Sequence, residues 1–351
     1  MTEPRDGDHG AAGARHDVPW LAEVQRPPHL PAADALRLAA LLANEHGTEI
    51  TTLPAWRTRR AAIRRWWVDF LGPLATADRP PPRLQVLGED RPGEVVRQLV
   101  RYVVEPGLTT DAYLLRPAWA SGQRPGVAVF HQTVAGSIRE PAGVEGPGEL
   151  AFGLECARRG CVALCPRNFL WTDNHTLALE TELQRFQARH PASRGMAQML
   201  YAAMLAIDVL ASSPEVDARR IGAVGHSLGG KEVLYLAALD DRVQAAVSSE
   251  GGIGVRFSNW YDPWYLGGEI LRDGFDHEHH ELLALAAPRP FLLIGGGGAD
   301  GPRSWPFIQA VLPVFRLYGG TPRVGLLNHG QGHSVPPEAA TRLYEWLEAY
   351  L

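Results

Sequence analysis

Short, mostly apolar runs alternate with longer amphipathic segments over most of the chain. An apolar run without polar alternation is typical of a strand that is covered on both faces, whereas apolar residues three and four apart indicate helices. Strands are predicted at 99–104, 113–115, 127–130, 162–164, 221–224, 243–247, 291–294 and 324–327, and the clearest helices at 150–159, 196–211, 231–239, 305–318 and 338–350. This order predicts an α/β fold: a mostly parallel, eight-stranded sheet with helices on both faces.

The N-terminal part of the chain has a different pattern. Residues 1 to about 30 are rich in Gly, Pro, Ala and charge, which predicts flexibility. Helical patterns follow at 33–46 and 54–71, and the second contains Trp56, Arg64 and Trp67. We interpret its tryptophans as packed on the main domain with its arginines in water, rather than as a membrane or nucleic-acid surface. We interpret the Pro-rich stretch at 79–82 as a linker. The chain is therefore divided into an N-terminal extension (1–82) and a main domain (83–351).

The composition and net charge of the chain indicate which kinds of partner and which cellular compartment to expect. The 351 residues carry a net charge of −5, which argues against a nucleic-acid partner. No apolar run approaches the ~20 residues that cross a bilayer, and the polar start lacks the pattern of a signal peptide. Cys156, Cys161 and Cys165 lie in one short stretch, which favours reduced thiols over disulfides. We therefore expect a cytoplasmic protein without a membrane partner, and its oligomeric state stays open.

The most specific motif is Gly225-His226-Ser227-Leu228-Gly229, which follows a predicted strand and precedes a predicted helix. A serine on such a strand-to-helix turn sits on a tight elbow, and small residues on either side let the two backbones approach. The helix N-terminus behind the turn offers unpaired N–H groups to a developing oxyanion. Ser227 is therefore predicted to be a nucleophile.

Two histidines follow the last predicted strand, where a base for such a serine is expected. We favour His333, because its Gly-flanked loop opens the final helix and lets the imidazole reach Ser227. His329 lies nearer the strand end and is expected to support the site. The histidines at 276–280 resemble a metal cluster, but neighbouring residues on a helix point in different directions. We interpret them as a solvated helix start and expect neither a metal nor a cofactor.

Two carboxylates end strands at the same edge of the predicted sheet. Asp300 follows the strand at 291–294 and a run of glycines, and Glu250 follows the strand at 243–247. Either can accept the imidazole N–H and hold the ring in the tautomer that takes the serine proton. Asp300 is the first choice, because the loop after the strand at 291–294 is the usual place for the acid of a triad with the chain order Ser, Asp, His.

The oxyanion of acyl transfer needs N–H donors. Leu228 is expected to supply one, and Gln132 or Thr133, after the strand at 127–130, the other. An alternative is that His131 and Gln132 are buried polar groups with local partners. The residues expected to contact substrate are His131, Lys231, Trp260, Trp264 and Trp305. The aromatic ones can stack on a sugar or aryl group, or simply cover the hydrophobic core.

With these motifs, the chain is identified as a member of the α/β-hydrolase superfamily. It resembles dienelactone-hydrolase-like and acetyl-xylan-esterase-like proteins and, more distantly, glucuronoyl esterases. The elbow with Lys231 after it, the spacing from Ser227 to Glu250, and the stretch at 279–290 are similar to glucuronoyl esterases. That resemblance implies a lysine that reaches sugar hydroxyls and a glutamate as triad acid. Leu228 stands where those enzymes carry an arginine, and dienelactone hydrolases proper use a cysteine in place of Ser227.

The predicted function is a cofactor-free carboxylic ester hydrolase that acts on a small-molecule ester through an acyl-enzyme. The resemblance implies acetylated or uronate sugar esters as substrates. A peptidase or amidase would use the same triad, and a non-catalytic binding protein would use the same fold.

Overall fold

The computed structural model describes residues 16–28, 36 and 38–351. Within them, nine strands form one sheet in the order β1-β2-β3-β5-β4-β6-β7-β8-β9. The strands are β1 (Gln85–Asp90), β2 (Val95–Glu105), β3 (Leu108–Pro117), β4 (Arg124–Phe130), β5 (Val162–Pro166), β6 (Val216–His226), β7 (Val243–Ser249), β8 (Phe291–Gly295) and β9 (Val324–Asn328).

The directions of the strands determine where a site can form. Strands β4 to β9 pair in parallel, while β1, β2 and β3 pair antiparallel to one another and β3 pairs antiparallel to β5. The carboxyl ends of the six parallel strands therefore meet at one edge of the sheet. Loops at that edge carry the functional side chains in open α/β sheets.

Helices cover both faces of the sheet. They are α1 (Leu21–Val24), α2 (Leu53–Leu71), α3 (Phe152–Arg158), α4 (Leu179–Arg189), α5 (Gly195–Ser212), α6 (Leu228–Leu239), α7 (His280–Ala286), α8 (Trp305–Leu317) and α9 (Pro337–Tyr350). Successive residues of a strand contribute to opposite faces. In β4, Ala128 and Phe130 join the core under α2, α5, α6, α7 and α8, whereas Val127 and Val129 join the core under α1, α3 and α9.

The predicted α/β-hydrolase fold is confirmed, with one strand more than expected. All eight predicted strands lie within observed strands. The ninth, β1, escaped prediction because all six of its residues are exposed and only two of them, Val86 and Leu87, are apolar. Helices α1 and α4 were not predicted either.

The N-terminal predictions were partly right. Helix α2 is present, and its buried Trp56 and Trp67 pack into the main core. The helix predicted over 33–46 is wrong for 38–46, which form turns. The Asn44 side chain accepts the backbone N–H groups of His46 and Thr48, which favours a turn over a helix. Residues 33–35 and 37 lie outside the described residues.

The flexible segment predicted for residues 1 to 30 is wrong where the structure describes it. Residues 1–15, 29 and 30 lie outside the described residues. Trp20 is buried and stacks on Trp346 of α9 at 5.8 Å between ring centroids. Of the arginines of α2, Arg57 and Arg65 are exposed as expected, whereas Arg60 binds Asp241 and Arg64 binds the carbonyl oxygen of Leu239. The division of the chain at residue 82 stays a prediction.

Two observations concern the core. Helix α5 is long and apolar enough to cross a bilayer, but 78% of it is buried inside the protein, which is the packing of a core helix. Cys156, Cys161 and Cys165 are free and buried.

Candidate active site

Ser227 stands between the end of β6 and the start of α6, in the left-handed region with φ 56° and ψ −114°. Its backbone N–H donates to the carbonyl oxygen of Ser249 at 2.8 Å, which ties the turn to β7. A Cβ on Gly225 would lie 2.4 Å from the Gly229 carbonyl carbon, and one on Gly229 would lie 2.1 Å from the Phe130 carbonyl oxygen. Only glycine fits at both positions, so the motif is required for the strained turn that presents Ser227.

Glu250 and His333 form a hydrogen-bonded pair at the same edge. The Nδ1 atom of His333 lies 3.2 Å from Oε2 of Glu250, whose side chain is fully buried, whereas the His333 side chain is 43% exposed. With Nδ1 carrying the proton that Glu250 accepts, the Nε2 atom is left as the basic nitrogen. This is the tautomer that can take a proton from a serine hydroxyl.

The Glu250 carboxylate is also held by the backbone. The N–H groups of Gly296, Ala299 and Asp300 donate to it, the last two over 2.5 and 3.3 Å. Burial alone would raise the pKa of Glu250, but the hydrogen bonds from His333 and from these three N–H groups outweigh it and lower the pKa. Glu250 is therefore held as the charged partner of His333.

The expectation that Asp300 contacts His333 is wrong. Its fully buried carboxylate accepts the backbone N–H groups of Gly252 at 2.6 Å and Ile253 at 2.8 Å, and the Ser304 hydroxyl at 2.8 Å. Asp300 thus fastens the loop after β7 to the start of α8. The longer glutamate side chain spans from the end of β7 to the loop after β8, where His333 approaches it.

Two other histidines lie near this pair. The ring of His226 packs against that of His333 at 4.8 Å between centroids, and its Nδ1 lies 3.0 Å from the Ser249 hydroxyl. Burial lowers the pKa of His226 to about 3, so it is neutral. His329 accepts the backbone N–H of Gln331 at Nδ1 and has no contact with Glu250 within hydrogen-bond range in the described chain.

The loop after β4 is held by His131. Its Nδ1–H donates to the carbonyl oxygen of Gln132 at 2.8 Å, and its Nε2 accepts the backbone N–H of Asn168 at 3.2 Å. Burial lowers the pKa of His131 to about 4, which keeps the ring neutral and able to make both bonds. In a trans peptide the C=O and the following N–H point in opposite directions. His131 therefore fixes the direction of the N–H of Thr133, a residue that is exposed at this edge.

The side chains of His131 and Gln132 have local protein partners, which is the alternative that the sequence left open. The Gln132 amide donates to both carboxylate oxygens of Glu140 at 3.1 Å. His131 is 3% exposed and both its ring nitrogens have protein partners. The prediction that the His131 side chain contacts substrate is contradicted by its burial, although the backbone of this loop remains available.

Lys231 and Trp260 were also expected to contact substrate, and their burial contradicts this. Lys231 is 3% and Trp260 1% exposed. The Lys231 Nζ donates to the carbonyl oxygen of Gly251 at 2.5 Å and lies 4.2 Å from the centroid of the Trp260 ring. The Trp260 Nε1–H in turn donates to Gly252. Burial lowers the pKa of Lys231 to about 7. Through its bond to the Gly251 carbonyl oxygen, this lysine supports the loop after β7.

The remaining predictions concern Trp264, Trp305 and the histidines at 276–280, and their outcomes differ. Trp305 is 6% exposed and belongs to the core, which contradicts a stacking role, whereas the partly exposed Trp264 stays a prediction. The histidines at 276–280 do not form a solvated helix start. His279 and His280 are buried, and the Nδ1 of His279 lies 2.8 Å from the carbonyl oxygen of Ile253, so packing replaces solvation.

Three residues that hold the site had not been singled out. His226 lies inside the elbow motif, where its position next to Ser227 was a usable signal. Asn168 and Glu232 gave no such signal, because no sequence motif indicates that these two residues are in contact. The Asn168 side-chain amide donates to the buried Glu232 carboxyl group at 2.5 Å. Burial raises the pKa of Glu232 to about 8.

Comparisons with known proteins agree with this architecture. Residues 110–259 match the dienelactone hydrolase family. A curated relative, carbohydrate esterase MZ0003 from an unknown prokaryotic organism, is 26% identical over 105 residues, which cover 25% of this chain. The chain thus aligns with only 24% of that relative's length.

Solved structures with the same fold include a glucuronoyl esterase from Solibacter usitatus, with a TM-score of 0.72 at 20% identity, covering 90% of this chain and 98% of that one. A putative acetyl xylan esterase from Bacteroides fragilis superposes with a TM-score of 0.62 at 15% identity, covering 80% and 76%. The chain has the α/β-hydrolase fold, and its residues 110–259 are similar to the dienelactone hydrolase family. The resemblance inferred from the motifs is confirmed.

Proposed function

We propose that this protein is a serine carboxylic ester hydrolase that forms an acyl-enzyme on Ser227. The observation that carries the proposal is the Glu250–His333 hydrogen bond at the edge of the sheet where Ser227 occupies a strained turn. The dienelactone hydrolase family match over residues 110–259 supports the same class of reaction.

In the proposed reaction the Ser227 hydroxyl attacks the ester carbonyl while His333 Nε2 takes its proton. Glu250 stabilises the imidazolium that forms. The alcohol leaves with the proton from His333, and water then hydrolyses the acyl-enzyme by the same route. The N–H groups of Leu228 and Thr133 hold the oxyanion, and the N-terminal dipole of α6 adds to their effect.

The proposed substrates are esters of sugars. The support is the similarity in fold to proteins described as a glucuronoyl esterase and an acetyl xylan esterase. Because Lys231 is buried, its amine does not contribute a contact to the sugar, and recognition falls to less buried groups such as the partly exposed Trp264.

The test combines covalent labelling with a substrate panel. A fluorophosphonate should label the wild-type protein at one serine. Ser227→Ala should abolish this labelling and lower the rate of hydrolysis of a p-nitrophenyl ester by several orders of magnitude. Ser121→Ala, in an exposed turn before β4, is the matched control and should change neither. Labelling that persists in Ser227→Ala would contradict the assignment of the nucleophile.

The panel then compares an acetylated xylose, a methyl glucuronate and aryl esters of graded chain length. A higher kcat/KM for either sugar ester than for the aryl esters supports the substrate class. A clear preference for long-chain aryl esters would contradict it while leaving the ester hydrolase proposal intact.

A further inference from the structure

A cavity of about 130 Å³ lies beside the loop after β5. Its walls come from β2 and β3, from this loop, and from helices α4 and α5. Tyr102, Thr110, Arg167, Phe169 and Gln198 are among its lining residues. None of these residues takes part in the proposed ester hydrolysis.

The cavity contains polar groups without protein partners. Gln198 is 4% exposed, and its side-chain oxygen Oε1 makes no hydrogen bond within the part of the chain that the structure describes. Arg167 is 8% exposed, and its Nε likewise lacks a partner there, although its Nη1 donates to Trp171 and its Nη2 to Asp173. A buried polar group without a hydrogen bond is destabilising, and such groups in a folded protein call for an explanation.

The charges around the cavity are balanced. Arg167 binds Asp173 at 2.7 Å, and Arg185 binds Glu182 at 2.7 Å. Arg189 lies 3.8 Å from Glu105, which also lies 2.8 Å from His190. An ion of either sign would therefore have to displace an existing ion pair, whereas an uncharged ligand would not.

The polar groups select the chemistry of such a ligand. The Gln198 amide both donates and accepts, and the Arg167 Nε–H donates. A hydroxyl group can satisfy either, because it is a donor and an acceptor at once. Phe169, which is partly buried at the cavity wall, offers an apolar face for the C–H side of a sugar ring.

We propose that this cavity is a second binding site, which takes an uncharged polyhydroxy molecule of monosaccharide size. It is separate from the Ser227 site. Trp171 lines the cavity and packs edge-on against the His131 ring at 4.6 Å between centroids. The binding site would thus share a wall with the loop that carries Thr133.

The test is binding of D-xylose to the wild-type protein, measured by saturation-transfer NMR and by the shift in melting temperature. Because D-xylose carries no ester, the result does not depend on the proposed hydrolase activity. A dissociation constant on the order of 1–10 mM is expected for a ligand of this size. Sodium sulfate at equal concentration is the charged comparison. It has no protons for saturation transfer, so it is followed by the melting temperature, which an excluded salt raises equally in the wild type and in the Gln198→Leu variant described next.

Two variants locate the site. Gln198→Leu should weaken xylose binding at least tenfold without lowering the melting temperature of the free protein, because the amide it removes has no partner to lose. Gln244→Leu makes the same chemical change on β7, outside the cavity, and should bind xylose like the wild type. The proposal is overturned if the wild type shows no saturation transfer up to about 50 mM, if Gln198→Leu binds equally well, or if sulfate rather than xylose is bound.

Discussion

Two groups of polar side chains at the carboxyl edge of the sheet have different surroundings. The outer pair, Glu250 and His333, ends in an imidazole that is 43% exposed. The inner group, defined as Asp300, His131, Lys231 and Glu232, is at most 4% exposed and is bound to protein partners. A titratable residue after a strand is therefore not enough to indicate chemistry, because the inner group has the same residue types and only supports the loops.

The direction of the pKa shift separates the two groups. Burial drives the inner group toward its neutral forms, with the pKa of His131 lowered to about 4, that of Lys231 lowered to about 7 and that of Glu232 raised to about 8. The pKa of Asp300 is also raised by burial. Glu250 is the exception, because its hydrogen bonds overcome burial and lower its pKa. A carboxylate that is held charged is the one suited to stabilise an imidazolium.

The largest expected effect comes from exchanging the two carboxylates for amides. Glu250→Gln should lower kcat by about 10⁴, because the histidine loses the partner that fixes its tautomer. Asp300→Asn should lower kcat less than tenfold but reduce the melting temperature, because it weakens bonds to Gly252, Ile253 and Ser304. Steady-state kinetics and thermal unfolding of both variants check this. The opposite ranking in kcat would restore Asp300 as the acid.

The next effect concerns the loop after β4. His131→Phe removes the donor to the Gln132 carbonyl, so the N–H of Thr133 loses its fixed direction. We expect kcat to fall by about 10²–10³, the cost of losing one oxyanion donor, with KM little changed. His131→Asn keeps a donor near the Nδ1 position and should recover part of the loss. Equal kcat in the Phe and Asn variants would show that His131 only fills space.

Much of the fold followed from the sequence because its signals are local. The buried strands contain apolar runs, and the elbow motif contains the glycines that its own close contacts require. Strand β1 gave no such signal, since its exposed residues are held only by pairing with β2. The turn at 44–48 depends on the Asn44 side chain, which a helical pattern does not register.

The choice between Asp300 and Glu250 depended on contacts distant in sequence. The usual place of a triad acid, in the loop after β8, favoured Asp300, but that loop folds so that its backbone N–H groups surround Glu250. A Cβ at Gly298 would lie 2.6 Å from Glu250 Oε2, so the glycine run makes room for this carboxylate. The pairing of Asn168 with Glu232, 64 residues apart, is likewise visible only in three dimensions.

A smaller effect is expected at Lys231. Lys231→Met keeps the length of the side chain but removes the bond to the Gly251 carbonyl. Stability should fall by about 1–3 kcal/mol, because a buried acceptor loses its donor. Activity toward an aryl ester and a sugar ester should change by the same small factor, since the amine is not exposed to either. A selective loss on the sugar ester would return Lys231 to the substrate-binding residues.

The smallest effect tests whether the inner group is neutral. The pKa of Glu232 rises from 4.5 to about 8 on burial, so the folded state binds this proton more tightly than the unfolded state does. The stabilising contribution of this proton is therefore fully present below pH 4.5, and wild-type stability should decrease as pH rises from there until the contribution is lost above about pH 8. Glu232→Gln cannot titrate but keeps an oxygen that accepts the Asn168 amide.

The melting temperature of Glu232→Gln should match that of the wild type near pH 4.5 and exceed it by a few degrees at pH 8, because only the wild type must then bury a charge or hold a proton against the solvent. Differential scanning calorimetry at half-unit steps of pH measures the difference. Glu149→Gln, the same change at an exposed carboxylate, should show no such trend. A difference that stays flat for Glu232→Gln would mean that Glu232 is charged in the folded protein. The contrast between a neutral inner group and a charged Glu250 would then fail at this residue.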